Sequence, residues 1–279
     1  METPFLPFDP DGEERAKQPR LRDISLRAIF PSLITLLAIC SGLTSIRFAA
    51  EGRLELAVAA IILAAFLDGI DGRVARFLKS TSRFGAQMDS LADFVNFGVA
   101  PAMLLYFSLL AGMQSFGWIA VLFYAVCACL RLARFNVMID MPNRPRWQNN
   151  YFVGIPAPAG ALTVMAPAYI LLLGAEKTHG LAFATALYAA FIGLLMISSL
   201  PSFSGKDFSS RIRREYVLPL LLFAVMFVAS LLSWPWRTLL AATILYLALL
   251  PVSRYYWLKH SREDALEVEA GKEKPGQQD

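Results

Sequence analysis

The sequence predicts an all-α integral membrane protein, a bundle of about eight transmembrane helices with a polar cavity that faces the cytoplasm. Of its 279 residues, 56% are hydrophobic and only 17% are charged. The mean hydropathy of +0.50 lies outside the usual range of water-soluble domains. Apolar runs of about 20 residues recur, each long enough to cross a hydrocarbon core of about 30 Å. None alternates with period two, so helices rather than barrel strands satisfy the backbone in lipid.

Eight apolar runs divide the chain into segments. They cover residues 28–50, 54–77, 86–111, 115–135, 157–175, 180–200, 216–233 and 235–253. We expect a cytoplasmic N-terminal arm at 1–27, a core of six helices at 28–205, two additional helices at 206–253 and a cytoplasmic tail at 254–279. The arm either lies along the lipid headgroups as an interfacial helix or remains solvated, and the polar tail lacks the apolar residues of a folded core.

Lysine and arginine are distributed unequally between the two sides of the predicted bundle. All but four of the 26 basic residues lie in or beside the termini and the connections after the second, fourth and sixth runs. The four exceptions are Arg47, Arg53, Lys177 and Arg237. The positive-inside rule therefore places both termini in the cytoplasm, and we expect the protein in the inner membrane. The net charge of +4 is small, and we expect no nucleic-acid partner.

Four carboxylates occur at neighbouring ends of the second and third runs. Asp68 and Asp71 are three residues apart, and Gly85, Asp89 and Asp93 follow one another at intervals of four. Each spacing places its members on one helix face. Because the second run goes inward and the third returns, both faces lie at cytoplasmic ends and can face each other. Acids at membrane depth cost a few kcal/mol each, so we expect a compensating cation or a water-filled cavity.

Clustered carboxylate oxygens are suited to divalent metal ions, two of them by the number of acids, with Mg²⁺, Mn²⁺ or Ca²⁺ as the candidates. Gly72 and Gly85 allow a bulky ligand to approach, and Arg76 can meet a phosphate oxygen. In one alternative the acids pair with the basic residues of 73–83, although the stripe at 85, 89 and 93 contains no basic member. In another, the glycines only pack helices, which leaves the acids unexplained.

The acids belong to a pattern with fixed spacing. It reads DGIDGRVAR, then the eight residues FLKSTSRF, then GAQMDSLAD. This pattern resembles, without a departure, the signature of the CDP-alcohol phosphatidyltransferase family, and the resemblance covers about residues 25–205. It implies a membrane enzyme, a homodimer, that transfers a phosphatidyl group from a CDP-activated lipid to a small alcohol.

The resemblance also implies a role for each residue of the pattern. The metal ligands would be Asp68, Asp71, Asp89 and Asp93, and Asp93 would also act as the general base. The residues that close around the CDP of the donor lipid would be Gly72, Ala75, Arg76 and Gly85.

Three stretches outside this pattern indicate the acceptor alcohol. They are SLADFVNFGVAPA at 90–102, RLARFN at 131–136 and YFVGIPAPAGA at 151–161. They look like the membrane-embedded branch of the family that transfers from CDP-diacylglycerol to L-serine, giving phosphatidylserine and CMP. Phe94 also stands where the phosphatidylglycerophosphate branch usually has lysine. The same chemistry with choline, glycerol 3-phosphate or an inositol phosphate is the alternative.

The acceptor site must bind the carboxylate of a small zwitterion. Arg131 and Arg134 are our candidates, because they share a helix face near the end of the fourth run. The alternative is that both arginines only anchor the helix at the membrane interface. We further expect a lateral groove for the lipid tails of the donor, flanked by helices that the sequence does not identify.

Two other classes of function compete with an enzyme. In a membrane ion transporter, the acids would lie near the midplane on discontinuous helices, whereas here they cluster at one face. In a catalytically dead scaffold, the intact spacing of the four acids would have no purpose. We therefore favour metal-dependent in-line displacement, in which Asp93 takes the proton of the attacking hydroxyl.

Overall fold

The computed structural model describes residues 26–78, 83–139, 151–198, 201–203, 214–251 and residue 254. Its helices are α1 (Leu26–Ala50), α2 (Leu54–Phe77), α3 (Arg83–Asp93), α4 (Ala100–Leu105), α5 (Gln114–Ile139), α6 (Ala157–Val164), α7 (Ala166–Leu172), α8 (His179–Ile197), α9 (Arg214–Ser233) and α10 (Pro235–Pro251). The predicted helical fold is confirmed. Most of the predicted N-terminal arm, 1–25, and most of the predicted tail, 255–279, lie outside the described residues.

The length and composition of the helices fit a membrane protein. Among the described residues, three stretches are long and apolar enough to cross a membrane: Phe30–Ala50, Phe84–Val137 and His179–Ile197. The second of these contains α3, α4 and α5, and the chain reverses direction within it at Gln114. Shorter apolar helices follow at Ala157–Leu172, Val217–Ser233 and Pro235–Pro251. Helices thus occur at the predicted intervals, while the number that cross the membrane stays a prediction.

The first two helices form a closely packed antiparallel hairpin. Small residues fill its interface, and the Ser41 and Ser45 hydroxyls donate to carbonyl oxygens of α2, each at 2.7 Å. Small side chains let backbones approach closely in lipid, where no hydrophobic force drives helices together. The hairpin turns at Gly52, whose φ of +77° is a left-handed conformation that glycine adopts without strain. This packing fixes the depth of α1 beside the acidic end of α2.

A second hairpin joins the acidic stripe to α5. Between α3 and α5 the chain passes through π-helical turns at Phe94–Val99 and Tyr106–Leu110 and a 3₁₀ turn at Ala111–Met113. It reverses at Gln114, where φ is +50°. The Tyr124 hydroxyl donates to the Phe97 carbonyl oxygen at 3.0 Å, which ties α5 to the first π-helical turn. The hairpin therefore brings the C-terminal half of α5 alongside Asp89 and Asp93.

A proline divides the helix that follows into α6 and α7. Pro167 has no N–H to donate to the carbonyl of Thr163, four residues earlier. The Tyr188 hydroxyl of α8 donates to that oxygen at 2.9 Å, and the Tyr169 hydroxyl donates to the Leu162 carbonyl at 2.9 Å. Two tyrosines thus satisfy backbone groups at the break, as a low-dielectric interior requires.

A short antiparallel sheet links the start of α6 to the end of α8. Its strands are β1 (Tyr151–Val153) and β2 (Pro201–Phe203), with Tyr151 opposite Phe203 and Val153 opposite Pro201. The all-α prediction did not include it. Of the two additional helices, α10 packs against the core through Trp236 and Tyr246 among others, whereas Leu218 and Phe223 of α9 are exposed.

Candidate active site

Three carboxylates from two helices meet at the end of the α1–α2 hairpin. Single oxygen atoms of Asp68, Asp71 and Asp89 all lie within 4.8 Å of one another. Asp71 is buried, and Asp89 is more accessible. Asp68 and Asp71, three residues apart in α2, thus lie close to Asp89 of α3, across the short connection between these helices. We call these residues, together with Asp93, the carboxylate cluster.

Asp93 completes the cluster one helical turn beyond Asp89. Its carboxyl group lies beside that of Asp68. Its Oδ1 atom is buried and has no hydrogen-bond partner among the described residues. A buried carboxylate oxygen without a partner is costly. Asp93 therefore presents an unsatisfied ligand atom beside three other carboxylates.

This donor set fits a divalent cation. Hard ions such as Mg²⁺ and Ca²⁺ bind carboxylate oxygens, and adjacent like charges repel unless a cation lies between them. The orphaned Asp93 oxygen is the observation that supports the fit, because a cation in the cluster would satisfy it. In the described part of the chain, no lysine or arginine forms a salt bridge with these acids: the salt bridges present are Arg47–Glu51 and Arg53–Glu51, beyond the opposite end of α2.

Thr35 supports the cluster from α1. Its hydroxyl lies 2.7 Å from Oδ2 of Asp71 and 3.1 Å from the carbonyl oxygen of Pro31. Since a hydroxyl has one proton, donation to Asp71 uses it, and the carboxylate is held in one orientation. Sequence reasoning missed Thr35, because nothing in the spacing of α1 relates it to Asp71, 36 residues later.

Arg131 of α5 faces the cluster from the other side. It is only 8% exposed, it interacts electrostatically with Asp93, and its guanidinium lies 5.7 Å from the ring centroid of Phe135. Its Nε–H has no partner within the described residues. A buried guanidinium with a free donor is suited to a small anion. The structure therefore places one of the two predicted acceptor arginines beside the predicted base.

Arg134 occupies a different environment one turn later. Two of its guanidinium nitrogens donate to the carbonyl oxygens of Ile197, at 2.7 Å, and Ser198, at 3.1 Å. These carbonyls end α8, where the last turn has no intrahelical donors. Arg134 thus connects α5 to the end of α8, a contact that its position on the face of Arg131 did not predict.

The residues predicted to hold the donor lie along the last turns of α2. Gly72 is exposed, and a Cβ there would meet nothing within 4 Å. Ala75 is half-buried, and the Nε–H of Arg76 donates to the Gly72 carbonyl at 3.1 Å on the exposed side of the helix. Gly85 is half-buried in the first turn of α3. Open space beside Gly72, close to Asp71, is consistent with the binding of a bulky group.

Two further polar features near the cluster were not predicted from the sequence. Ser90 and Asn136 hydrogen-bond to each other, at 3.1 Å from Asn136 Nδ2 to Ser90 Oγ, and so join α3 to α5 next to Asp89. Asn96 is fully buried in the first π-helical turn, against Gly42 of α1, and its amide has no partner in the part of the chain that is described. The sequence did contain a signal for Asn96, because it is a polar residue inside an apolar run, three residues after Asp93.

Comparison with known proteins connects this geometry to a family. The profile of the CDP-alcohol phosphatidyltransferase family matches residues 28–255. A CDP-diacylglycerol–serine O-phosphatidyltransferase of Mycobacterium leprae is 40% identical over 248 residues, which cover 86% of this chain and 80% of the relative. Proteins with the same description from Helicobacter pylori and Methanocaldococcus jannaschii are 33% and 35% identical, covering 73% and 63% of this chain and 83% and 75% of those relatives.

Proposed function

Because the chain belongs to the CDP-alcohol phosphatidyltransferase family, we propose that it transfers the phosphatidyl group of CDP-diacylglycerol to L-serine, giving phosphatidylserine and CMP. The observation that carries this proposal is the carboxylate cluster, in which three acids of the family pattern approach within 4.8 Å. Relatives from bacteria and an archaeon are CDP-diacylglycerol–serine O-phosphatidyltransferases by name, which supports serine as the acceptor.

The carboxylate cluster would hold divalent metal ions, two by the number of ligands. Asp68, Asp71, Asp89 and Asp93 supply the oxygens, and Thr35 fixes the orientation of Asp71. When bound, such ions supply charge neutralisation to the diphosphate of the donor and to the departing CMP. Mg²⁺ and Mn²⁺ are the first candidates, and Ca²⁺ is a third.

The last turns of α2 would receive the CDP group. Gly72 leaves space beside the cluster, Ala75 keeps the adjoining surface small, and Arg76 lies on the exposed side with further donors for a phosphate oxygen. Gly85, half-buried in the first turn of α3, would line the same pocket. These residues orient the diphosphate so that its lipid-bearing phosphorus lies at the carboxylates.

Asp93 would act as the general base. Its buried position and its orphaned oxygen leave it available to the acceptor hydroxyl. As the serine oxygen forms its bond to the phosphorus that carries diacylglycerol, the bond from that phosphorus to the oxygen of CMP breaks, and the serine proton passes to Asp93. CMP leaves with the electron pair of the broken bond, so a single in-line displacement completes the transfer.

Arg131 would bind the carboxylate of serine. Its unpartnered Nε–H and its electrostatic contact with Asp93 put a cation next to the base. Arg134 would contribute less directly, because its donors are engaged with the end of α8. Acceptor binding and proton transfer would thus occur on adjacent turns of α5 and α3.

The membrane arrangement belongs to the same proposal. Eight spans, a polar cavity open to the cytoplasm, both termini on that side and an inner-membrane location agree with the bias of lysine and arginine. The donor lipid and serine would then both reach the carboxylate cluster from the cytoplasmic leaflet. A homodimer in the membrane is our expectation for the assembly.

Incorporation of labelled acceptor into lipid tests the proposed function. The purified full-length protein receives CDP-diacylglycerol and, in separate reactions, labelled serine, choline, glycerol 3-phosphate or inositol phosphate. We expect product with serine only, abolished by a chelator and restored by added Mg²⁺ or Mn²⁺. Product from another acceptor but not from serine would contradict the substrate assignment, and undiminished transfer in chelator would contradict the metal assignment.

A further inference from the structure

Asn96 is a polar residue in the π-helical turn that follows Asp93. It is fully buried, and its Oδ1 and Nδ2 atoms have no hydrogen-bond partner among the described residues. A buried amide without partners has lost its bonds to water and gained none in return. An apolar side chain of similar size would avoid this cost, which indicates that Asn96 has a task besides filling space.

Unpaired buried polar atoms are concentrated around the proposed base. Within the part of the chain that the structure describes, the side-chain nitrogen and oxygen atoms that are buried without a partner belong to Asp93, Asn96 and Arg131. Asn96 lies within one helical turn of Asp93, and Arg131 faces Asp93 from α5. Since native structures leave few such atoms unpaired, their grouping at one site points to partners that form during the reaction.

The unpaired groups of Asp93 and Asn96 are complementary. An ionised carboxylate only accepts hydrogen bonds, and the amide nitrogen of Asn96 only donates them. The amide oxygen of Asn96 lies against α1, because a Cβ at Gly42 would collide with this oxygen and lie 3.1 Å from the Cγ of Asn96. With its oxygen placed at α1, the side chain has its nitrogen left for another partner.

The turn that carries Asn96 is held by two neighbouring helices. The Tyr124 hydroxyl of α5 donates to the Phe97 carbonyl oxygen at 3.0 Å, and Gly42 of α1 adjoins Asn96. π-helical turns inside α-helices are rare and frequently occur at functional sites. The turn is thus fixed against α1 and α5 directly after the residue that we assign as the base.

We propose that Asn96 is a positioning residue for Asp93: by a change of side-chain rotamer its amide nitrogen donates to the Asp93 carboxylate and holds it toward the acceptor hydroxyl. The proposal rests on the proposed function for the role of Asp93 as base. A carboxylate offers about four lone-pair positions, so it can accept this bond, bind a cation and still take the serine proton. The competing explanation is that Asn96 only packs the π-helical turn against α1.

A matched pair of variants, N96A and N96S, separates polarity from volume, since alanine and serine differ by one hydroxyl. In serine incorporation, kcat of N96A should fall by about 10- to 100-fold, the effect of losing a partner that orients a reacting group. The KM values for serine and CDP-diacylglycerol should change little, because the lost bond acts on the transition state. N96S retains a donor and should keep several times the kcat of N96A. Equal kcat values for the two variants would overturn the proposal.

Substitution of Gly42 tests the same contact from α1. The three atoms nearest to a Cβ at Gly42 all belong to Asn96, whereas a Cβ at Gly112 would meet nothing within 4 Å. G42A should therefore displace the Asn96 side chain and lower kcat as N96A does, and G112A should leave kcat unchanged. Residues that act through one contact are not additive, so G42A should add little to N96A. A full further loss in the double variant would show that Gly42 acts independently of Asn96.

The apparent unfolding temperature in detergent, measured on the same preparations, distinguishes positioning from packing. In N96A it should not fall, because removal of an unpaired buried amide offsets the lost volume. A lower unfolding temperature with unchanged kcat would assign Asn96 to packing alone and leave transfer to serine intact. Failure of the unsubstituted protein to use serine would instead contradict the proposed function, and this proposal with it.

Discussion

The Thr35 hydroxyl of α1 fixes the orientation of the Asp71 carboxylate of α2. The hydroxyl lies 2.7 Å from the Asp71 carboxylate, at the buried end of the carboxylate cluster. Side chains that hydrogen-bond to a metal ligand hold that ligand in the orientation that the metal requires. Residue-scale chemistry at this site is therefore decided by hydrogen bonds as much as by the acids themselves.

Thr35→Val keeps the shape of the side chain and removes its hydroxyl. Because Asp71 then loses its orienting donor, we expect the Mg²⁺ concentration for half-maximal serine incorporation to rise by about tenfold. The assay is a titration of MgCl₂ at saturating substrates. Thr35→Ser should restore the original value, and Thr44→Val is the control, because among the described residues that hydroxyl bonds the Cys40 carbonyl alone. An unchanged midpoint in T35V would show that Asp71 needs no support from α1.

Asp93→Asn removes the proposed base and keeps the size of the side chain. We expect the rate of transfer to fall by about 10²–10⁴-fold, the usual contribution of a positioned base. Metal-dependent binding of CDP, measured by calorimetry, should be largely retained, since three other carboxylates remain. Glu55→Gln, in the first turn of α2 and far from the cluster, serves as the control. Full activity of D93N would exclude Asp93 as the base.

Helix ends rather than helix interiors connect the elements around the site. Arg134 joins α5 to the last carbonyls of α8, and Gly154 packs against the same turn just after β1. Gly154 has φ of +79°, and a Cβ there would collide with the Met196 carbonyl oxygen and lie 3.0 Å from that of Ser198. The sheet, α5 and α8 are thereby connected at a single point beside Arg131.

Gly154→Ala should destabilise the protein more than Gly52→Ala does. Both glycines have positive φ, but a Cβ at Gly52 would meet nothing within 4 Å. Backbone strain alone costs about 1 kcal/mol, and the collision at Gly154 should raise the loss to about 2–3 kcal/mol. The apparent unfolding temperature in detergent, followed by tryptophan fluorescence, measures both. Equal temperatures for the two variants would mean that the α8 carbonyls move aside without cost.

On the scale of the whole molecule, the bundle separates a polar, charged side from an apolar body. The carboxylate cluster and the last turns of α5 lie at one end, and the turns at Gly52 and Gln114 lie at the other. Residues 217–229 of α9 are exposed, as a helix surrounded by lipid would be. The arrangement predicts that substrates reach the site from one side only.

The direction of the chain across the membrane follows from this arrangement and can be measured. In a variant without Cys40, Cys127 and Cys129, single cysteines replace Lys177 or Arg254, both of which are exposed. An impermeant maleimide should label K177C in intact spheroplasts and R254C only after permeabilisation, because the bias of positive charge places them on opposite sides. The reverse pattern would contradict a cytoplasmic site.

Much of the helical architecture was predictable, because insertion into lipid depends on the local hydropathy of a segment. The predicted intervals 54–77 and 235–253 agree with α2 and α10 to within a few residues. The π-helical turns after Asp93 and the break before Pro167 were not predicted, since both depend on the tyrosines of neighbouring helices that satisfy their carbonyls. The short sheet escaped prediction because its strands are about 50 residues apart in the chain.

The sequence by itself determined which segments are helices, which acids share a helix face and which family pattern they form, because spacing along one helix follows from its 3.6-residue period. Only the tertiary structure decided that Thr35 orients Asp71, and that Arg131 faces Asp93 while Arg134 holds the end of α8. These contacts join residues far apart in the chain. They depend on the depth and rotation at which helices pack, and those are set by small interfacial residues and by hydrogen bonds between helices rather than by local spacing.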